Sequence, residues 1–442
     1  MNRRRFQLNA VQTLAVSFAG LILTGALLLM LPVSSRSGYP LPFLDALFTS
    51  ASASCVTGLV LYDTFTQFTL FGQAVLLVLI QIGGLSLMTV SILAAFLLHR
   101  RIGLHQRSVL MDTIGALQVG GVVRLTRRAL LVTAVCEGGG AVLLSFWFIP
   151  RYGVLRGIWM GVFHAVSAFC NAGFDLLGTG ASLTGAAGEP LLNLVLMALI
   201  LSGGLGFLVW DDVITHGVRF RRYRLHSKIV LTGTWALFLM GTLAFYLLEG
   251  DCAFAGRSAG QKLLMAAFQS VTPRTAGFNT VDLTALSESG TLLTMILMFI
   301  GAGSGSTGGG IKVNTFAVVV LCAAAHIRRQ EDINVFRRRL DNGTVRRAFT
   351  SVSLYAMVCM LGYMVLCLQG ISLDDALFEA ISAIGTVGLT RGITPQLPVA
   401  SRIAVILLMF VGRVGSMSVA AAVTPDRPVP KLRNIPEKIL IG

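Results

Sequence analysis

Charged side chains are scarce in this sequence. They make up 12% of its 442 residues against 55% hydrophobic ones, and the mean hydropathy is +0.77. Soluble globular chains carry about twice that share of charge, so an ordinary soluble domain is excluded. Paired cysteines are missing too: the seven, at 55, 136, 170, 252, 322, 359 and 367, show no CxxC spacing, which leaves neither a disulfide framework nor a thiolate metal site. The six histidines are dispersed and no HExxH occurs, so metal chemistry has no candidate ligands. The polar and apolar alternation of a membrane barrel is also absent. What the chain does have is long apolar runs. One of them, "LAVSFAGLILTGALLLMLP" (14–32), reaches the roughly 20 residues that a spanning helix needs. The basic start before it imitates a secretory signal, but the run is too long and no small-x-small cleavage site follows, so it reads as the first span.

The formal net charge of +15 is unevenly distributed. Of the 35 Lys and Arg, 25 fall in five segments: 3–5, 99–128, 211–228, 326–347 and the tail after 424. By the positive-inside rule all five are cytoplasmic, both termini included, which predicts a multi-pass protein of the cell membrane. The excess is read as orientation and contact with anionic membrane lipid rather than as a nucleic-acid surface.

The five segments divide the chain into four apolar stretches, each of which must leave the cytoplasm and return. Each contains two long runs with a shorter one between them: 43–54, 157–169, 262–271 and 373–384. About 12 residues at 1.5 Å rise cannot cross a roughly 30 Å hydrocarbon layer, so the short runs predict re-entrant half-helices. After each comes a turn bearing Gly58, Gly173, Gly277 or Gly388, recurring at roughly 105 to 115 residues. Phe48, Phe163, Phe268 and Phe378 precede these glycines by nine or ten residues. The expected fold is an all-α integral membrane protein, with eight spanning helices in four pseudo-fourfold units around a central pore. The units are 11–98 (turn at 56–59), 125–210 (171–174), 229–325 (275–278) and 347–423 (386–389), followed by a cytoplasmic tail, 424–442.

Four such turns around one axis suit a dehydrated monovalent cation, whose water shell main-chain carbonyls can replace. Thr386-Val387-Gly388 is also the tripeptide that lines potassium-channel filters. The corresponding selectivity-filter candidates are Val56, Thr57 and Gly58; Asn171, Ala172 and Gly173; Thr275, Ala276 and Gly277; and Thr386, Val387 and Gly388. Half-helix C-termini facing the ion would favour cations. Asp63, Asp175 and Asp282 follow three of the glycines and are candidates for an acidic outer mouth, although solvated turn residues would look the same. In the fourth copy Arg391 breaks the pattern.

The second run of the third copy is interrupted by "GAGSGSTGGGIK" (301–312), and a polar break at membrane depth requires a protein- or water-lined setting. Gly303, Ser304, Gly305, Ser306, Thr307, Gly308, Gly309, Gly310 and Lys312 are therefore read as a gate below the filter. The stretch matches GxGxxG, but no strand or crossover helix surrounds it, so it is no dinucleotide site. Arg413, in mid-run, completes the gate if it faces the pore; the alternative is a buried pair with Glu137.

In these features the chain resembles the Trk/Ktr/HKT superfamily of potassium transporters, and most closely the KtrB type of bacterial membrane subunit. The likeness covers essentially the whole length. It implies potassium selectivity from four filter glycines, a gating role for the Gly-rich loop and the arginine, a homodimer, and a cytoplasmic ring of KtrA-like regulatory subunits with nucleotide-binding domains. No cytoplasmic segment exceeds about 30 residues, too few for a domain, so any nucleotide would sit on that partner. The chain is read as carrying no cofactor of its own, with K+ as transported ion and Na+ as a second candidate. Alternating-access secondary cation transport is the competing reading, although such transporters usually pair inverted halves. An intramembrane enzyme would need a nucleophile and base or paired carboxylates, and only Glu137 offers itself.

Overall fold

The computed structural model describes residues 10–85, 122–178, 180–415 and Val419. The basic segment at 3–5, most of that at 99–128, the ends of the first and fourth units and the tail from 424 lie outside the described residues. The architecture is helical. Its one sheet among the described residues is a two-residue antiparallel hairpin, β1 (Asn334–Val335) with β2 (Arg338–Arg339).

Each unit opens with a helix long and apolar enough to cross a membrane. These are α1 (Ala10–Leu29), α4 (Val122–Tyr152), α8 (Leu225–Glu249) and α12 (Asn342–Leu368). Each is followed by a half-helix: α2 (Phe43–Ser54), α5 (Val154–Phe169), α9 (Ala259–Val271) and α13 (Leu373–Gly385). Two of the half-helix starts are fixed by polar caps. Ser258 and Gln261 form a reciprocal capping box, and the Ser372 hydroxyl accepts from the Asp375 amide. Phe48, Phe163, Phe268 and Phe378 are all fully buried, which anchors each half-helix in the protein interior.

The second long element of each unit is shorter or interrupted. α3 is described over Leu70–Leu85; α6 (Pro190–Leu205) turns by 95° into α7 (Phe207–His216); α10 (Glu288–Phe299) and α11 (Val313–Ile327) flank the Gly-rich loop; and α14 (Val399–Val414) ends at Gly415. A break is thus not confined to the third copy, as the sequence had indicated. α7 runs on to His216, so a boundary at 210 falls inside a helix.

Candidate functional site

Local backbone conformation comes first. Val56, Asn171, Thr275 and Thr386 all have positive φ (58°, 60°, 77° and 50°), and so do the glycines two residues on, Gly58, Gly173, Gly277 and Gly388 (91°, 70°, 80° and 89°). Left-handed residues at every second position turn successive carbonyls to one side, a conformation that costs a non-glycine residue of order 1–2 kcal/mol. The same pair of positions carries this conformation in all four turns.

The four turns close on one another in chain order. A Cβ on Gly58 would lie 2.5 Å from the Ala172 carbonyl oxygen, one on Gly173 2.8 Å from that of Ala276, and one on Gly277 2.5 Å from that of Val387. On Gly388 it would strike the carbonyl of Thr57, which completes the circuit. Each glycine therefore abuts the carbonyl that precedes the next glycine. All twelve residues of the four tripeptides are brought together in this ring and are buried.

Hydroxyl groups behind three of the four turns hold them, and the sequence reading missed these; the buried Ser382 hydroxyl of the fourth makes no hydrogen bond among the described residues. Ser52, Ser167, Thr272 and Ser382 occupy matching places, five or six residues before each glycine. Ser52 Oγ accepts from the Gly58 amide (3.1 Å), Ser167 Oγ donates to the Phe174 carbonyl (2.8 Å) and Thr272 Oγ1 donates to that of Phe278 (2.6 Å). A second buried polar set directly follows the anchoring phenylalanines: Thr49, His164, Gln269 and Glu379. His164 Nε2 accepts from the Leu176 amide (3.3 Å), and Glu379 accepts from Thr394 Oγ1 (2.5 Å), so both tie the segment beyond the glycine back to the half-helix. Recurrence in register with Phe and Gly was the available signal. Glycines of the second helices also pack close: a Cβ on Gly83, Gly203 or Gly412 would strike the carbonyl of Ser54, Phe169 or Ile384, each four residues before its turn glycine.

On one side of the ring lies a cavity of about 480 Å³, lined by the four glycines and by Asp63, Asp175, Asp282 and Arg391 among others. The acidic residues also have structural work. Asp63 caps a one-turn helix through the Thr66 amide (2.8 Å) and accepts from the Gly180 amide (3.0 Å); Asp282 accepts from the Thr284 amide (2.9 Å); Asp175 accepts from that of Leu177 (3.1 Å). Burial pushes the Asp175 carboxyl up to about 6, against the pull of the Leu177 amide, and the Asp63 charge adds to the rise. Arg391 does not stand alone as a positive charge, because Asp375 pairs with it at 3.2 Å. Asp45 likewise pairs with Arg402 (2.6 Å) and accepts from Tyr62 Oη (2.5 Å), linking the fourth copy to the first.

On the other side of the ring lies the Gly-rich loop. A Cβ on Gly308 would come within 3.2 Å of the Asn171 side-chain carboxamide and strike the Thr275 hydroxyl, and one on Gly309 would strike the Thr386 side chain. The loop therefore rests on the first residues of three of the four turns. Thr307 Oγ1 donates to the Phe169 carbonyl (2.9 Å), and the Gly303 amide donates to that of Gly204 (2.8 Å). Lys312 Nζ donates to the carbonyls of Gly308 (2.5 Å) and Gly309 (3.2 Å) within the loop itself. The Arg413 guanidinium donates to the Thr307 carbonyl and to those of Gly83 (2.5 Å) and Gly84 (3.0 Å). It thus joins the first, third and fourth copies. Glu137 is engaged by Gln81 Nε2 at 3.1 Å and by the Cys170 thiol at 3.7 Å, and no ion pair joins it to Arg413 among the described residues.

A family model described as a cation transport protein, TrkH, matches residues 4–432. The chain belongs to the TrkH family of cation transport proteins. Members move ions across membranes and are not enzymes, so the enzyme reading falls away. Within this TrkH family the chain is similar to Ktr system potassium uptake protein B of Bacillus subtilis, with 40% identity over 92% of this chain and 91% of that protein. It is also similar to potassium/sodium uptake protein NtpJ of Enterococcus hirae, with 39% identity over 100% of this chain and 99% of that one. The fold is shared with the solved potassium transporter TrkH from Vibrio parahaemolyticus: the TM-score is 0.78 at 19% identity, covering 96% of this chain and 87% of the other.

Proposed function

We propose that this chain takes up potassium across the cell membrane through a central pore, with the four-turn carbonyl ring as its selectivity filter. The observation that carries the reading is the closed circuit of glycines and carbonyls, each glycine abutting the carbonyl before the next. A potassium ion shedding its water needs oxygens on several sides, and this circuit offers them from four directions. The names of the similar proteins support the choice of ion, and that of NtpJ supports an influence of sodium. In this reading the loop at 301–312 and Arg413 form the gate, and Asp63, Asp175 and Asp282 concentrate cations at the outer mouth. Units at 11–98, 125–210, 229–325 and 347–423, a homodimer, and a cytoplasmic nucleotide-binding regulatory ring belong to the same proposal. Four parallel units favour a pore over two inverted halves that alternate access.

The test is growth on limiting potassium of cells that lack their own uptake, carrying either wild-type protein or Gly58→Ser. Wild type should rescue growth, and the variant should keep insertion while losing preference for potassium over sodium. Absence of rescue, even with a regulatory subunit co-expressed and insertion verified, would turn the reading toward alternating access.

A pH dependence follows from the Asp175 carboxyl at about 6. Above that value the group is charged and attracts cations; below it the group is protonated and the mouth loses one negative charge. Uptake from limiting potassium should therefore fall about twofold as the external pH drops from 7 to 5, the effect of one nearby charge in a water-like medium. Asp175→Asn should flatten that profile. A variant with the wild-type profile would show that another group sets the response.

A further inference from the structure

Away from the ring and the Gly-rich loop, between two basic segments that the positive-inside rule assigns to the cytoplasmic side, there is a second cavity of about 510 Å³. It is lined by Phe220, Arg221, Lys228, Phe336, Arg337 and Arg338: four cations, two aromatic rings and no carboxylate. The lining residues come from two segments distant in sequence. Phe220 and Arg221 lie on a short 3-10 turn just before α8, Lys228 sits in the first turn of α8, and the remaining three belong to the β1–β2 hairpin. The two Phe rings meet edge to face with centroids 6.1 Å apart, and Lys228 Nζ stands 5.9 Å from each centroid. This contact fixes the hairpin against the root of a spanning-length helix.

Three features point to an anionic ligand. Three carboxylates of these two segments are turned to other cations: Asp332 pairs with Arg339 (3.4 Å), and Asp211 and Asp212 engage Arg224 at 2.9 and 3.5 Å. The side chains of Arg221, Arg337 and Arg338 are exposed and have no ion-pair partner among the described residues. The hairpin turn, finally, is made by Phe336 and Arg337 with φ of 49° and 61°. Two-residue turns of this kind favour Asn-Gly, and bulky side chains there are strained. That strain is retained where the turn presents one aromatic and one guanidinium to the cavity.

Position selects the source of the anion. The cavity lies at the start of α8, three residues into a helix of membrane-spanning length, while the hairpin hangs between the end of α11 and the start of α12. That is the depth of lipid headgroups, where cations with aromatic neighbours meet the anionic leaflet. We propose that this cavity binds the phosphate of an anionic phospholipid, with Arg337, Arg338 and Lys228 as its cationic contacts.

The test is a thermal-unfolding titration of the delipidated full-length protein in detergent. The probes are dioctanoyl phosphatidylglycerol, dioctanoyl phosphatidylcholine, glycerol 3-phosphate and polyglutamate. Phosphatidylglycerol should raise the midpoint and phosphatidylcholine should not. Arg337→Gln with Arg338→Gln should weaken the apparent affinity about fivefold per cation, roughly 25-fold together, from about 1 kcal/mol per basic residue near an anionic surface. An unchanged phosphatidylglycerol response in that variant would overturn the site. A rise of equal size with glycerol 3-phosphate would assign it to a soluble phosphate compound instead, and a rise with polyglutamate alone to an acidic protein surface. If the double variant does not fold, Lys228→Gln is read in the same titration, with a fivefold loss expected and an unchanged response counting against the proposal.

Discussion

Alanine in place of Gly388 is expected to lower potassium uptake tenfold or more in cells that depend on this chain. The residue has φ near 89°, where a Cβ costs of order 1–2 kcal/mol. That added Cβ would also strike the Thr57 carbonyl and lie 2.9 Å from the Gly58 Cα, so the damage is delivered to the first copy from the fourth. A carbonyl displaced from an ion's path acts on the barrier to transit, and about 1.4 kcal/mol there is a factor of ten in rate. Gly370 provides the control. Its φ of 81° carries the same strain, but nothing lies within 4 Å of its Cβ position. Gly370→Ala should therefore lose some stability and keep its ion preference. If Gly388→Ala takes up potassium like wild type at equal membrane abundance, the carbonyl circuit is not the ion path.

The half-helices were legible in the sequence because their C-terminal ends are marked twice, by the close of an apolar run and by the glycine turn. The run 43–54 coincides with α2, and 373–384 with all but the last residue of α13. The starts of the middle two were less legible. Ser258 and Gln261 begin α9 in a polar turn outside the apolar run, and α5 begins at Val154, directly after Gly153 and ahead of the run at 157. The bend at Gly206 gave no hydropathy signal, since "GGLGFLVW" is apolar on both sides of it. Pairs such as Asp45 with Arg402 join residues 357 positions apart, and no local pattern specifies such a partner. The buried polar residues behind the turns were visible as letters and not as a pattern. Only the register set by Phe and Gly, read across all four copies, makes Thr49, His164, Gln269 and Glu379 equivalent.

Substituting Arg413 by Gln should raise cation flux on the order of tenfold to a hundredfold while leaving the potassium-to-sodium ratio unchanged. The guanidinium makes hydrogen bonds to carbonyls from two copies, those of Thr307 and of Gly83 and Gly84, and each bond from a charged donor is worth roughly 1.5–3 kcal/mol. Losing one or two of them shifts a closed–open equilibrium by that order, because only interactions that differ between the two states move it. The four glycine turns take no hydrogen bond from Arg413, so under the proposed filter the ion preference should stay as it is. Deletion within 303–310 should act in the same direction, since it removes the carbonyls that Arg413 and Lys312 hold. Lysine at 413 keeps the charge but not the planar fork, so it cannot reach both sets of carbonyls with one geometry and should fall between wild type and Gln. Flux through purified protein in liposomes, measured with each ion separately, distinguishes a gate from a structural clamp. A clamp lost would leave poorly inserted protein with low flux, and a gate lost leaves inserted protein with high flux. Unchanged flux in inserted Arg413→Gln protein would remove both the arginine and the loop it holds from the gating role.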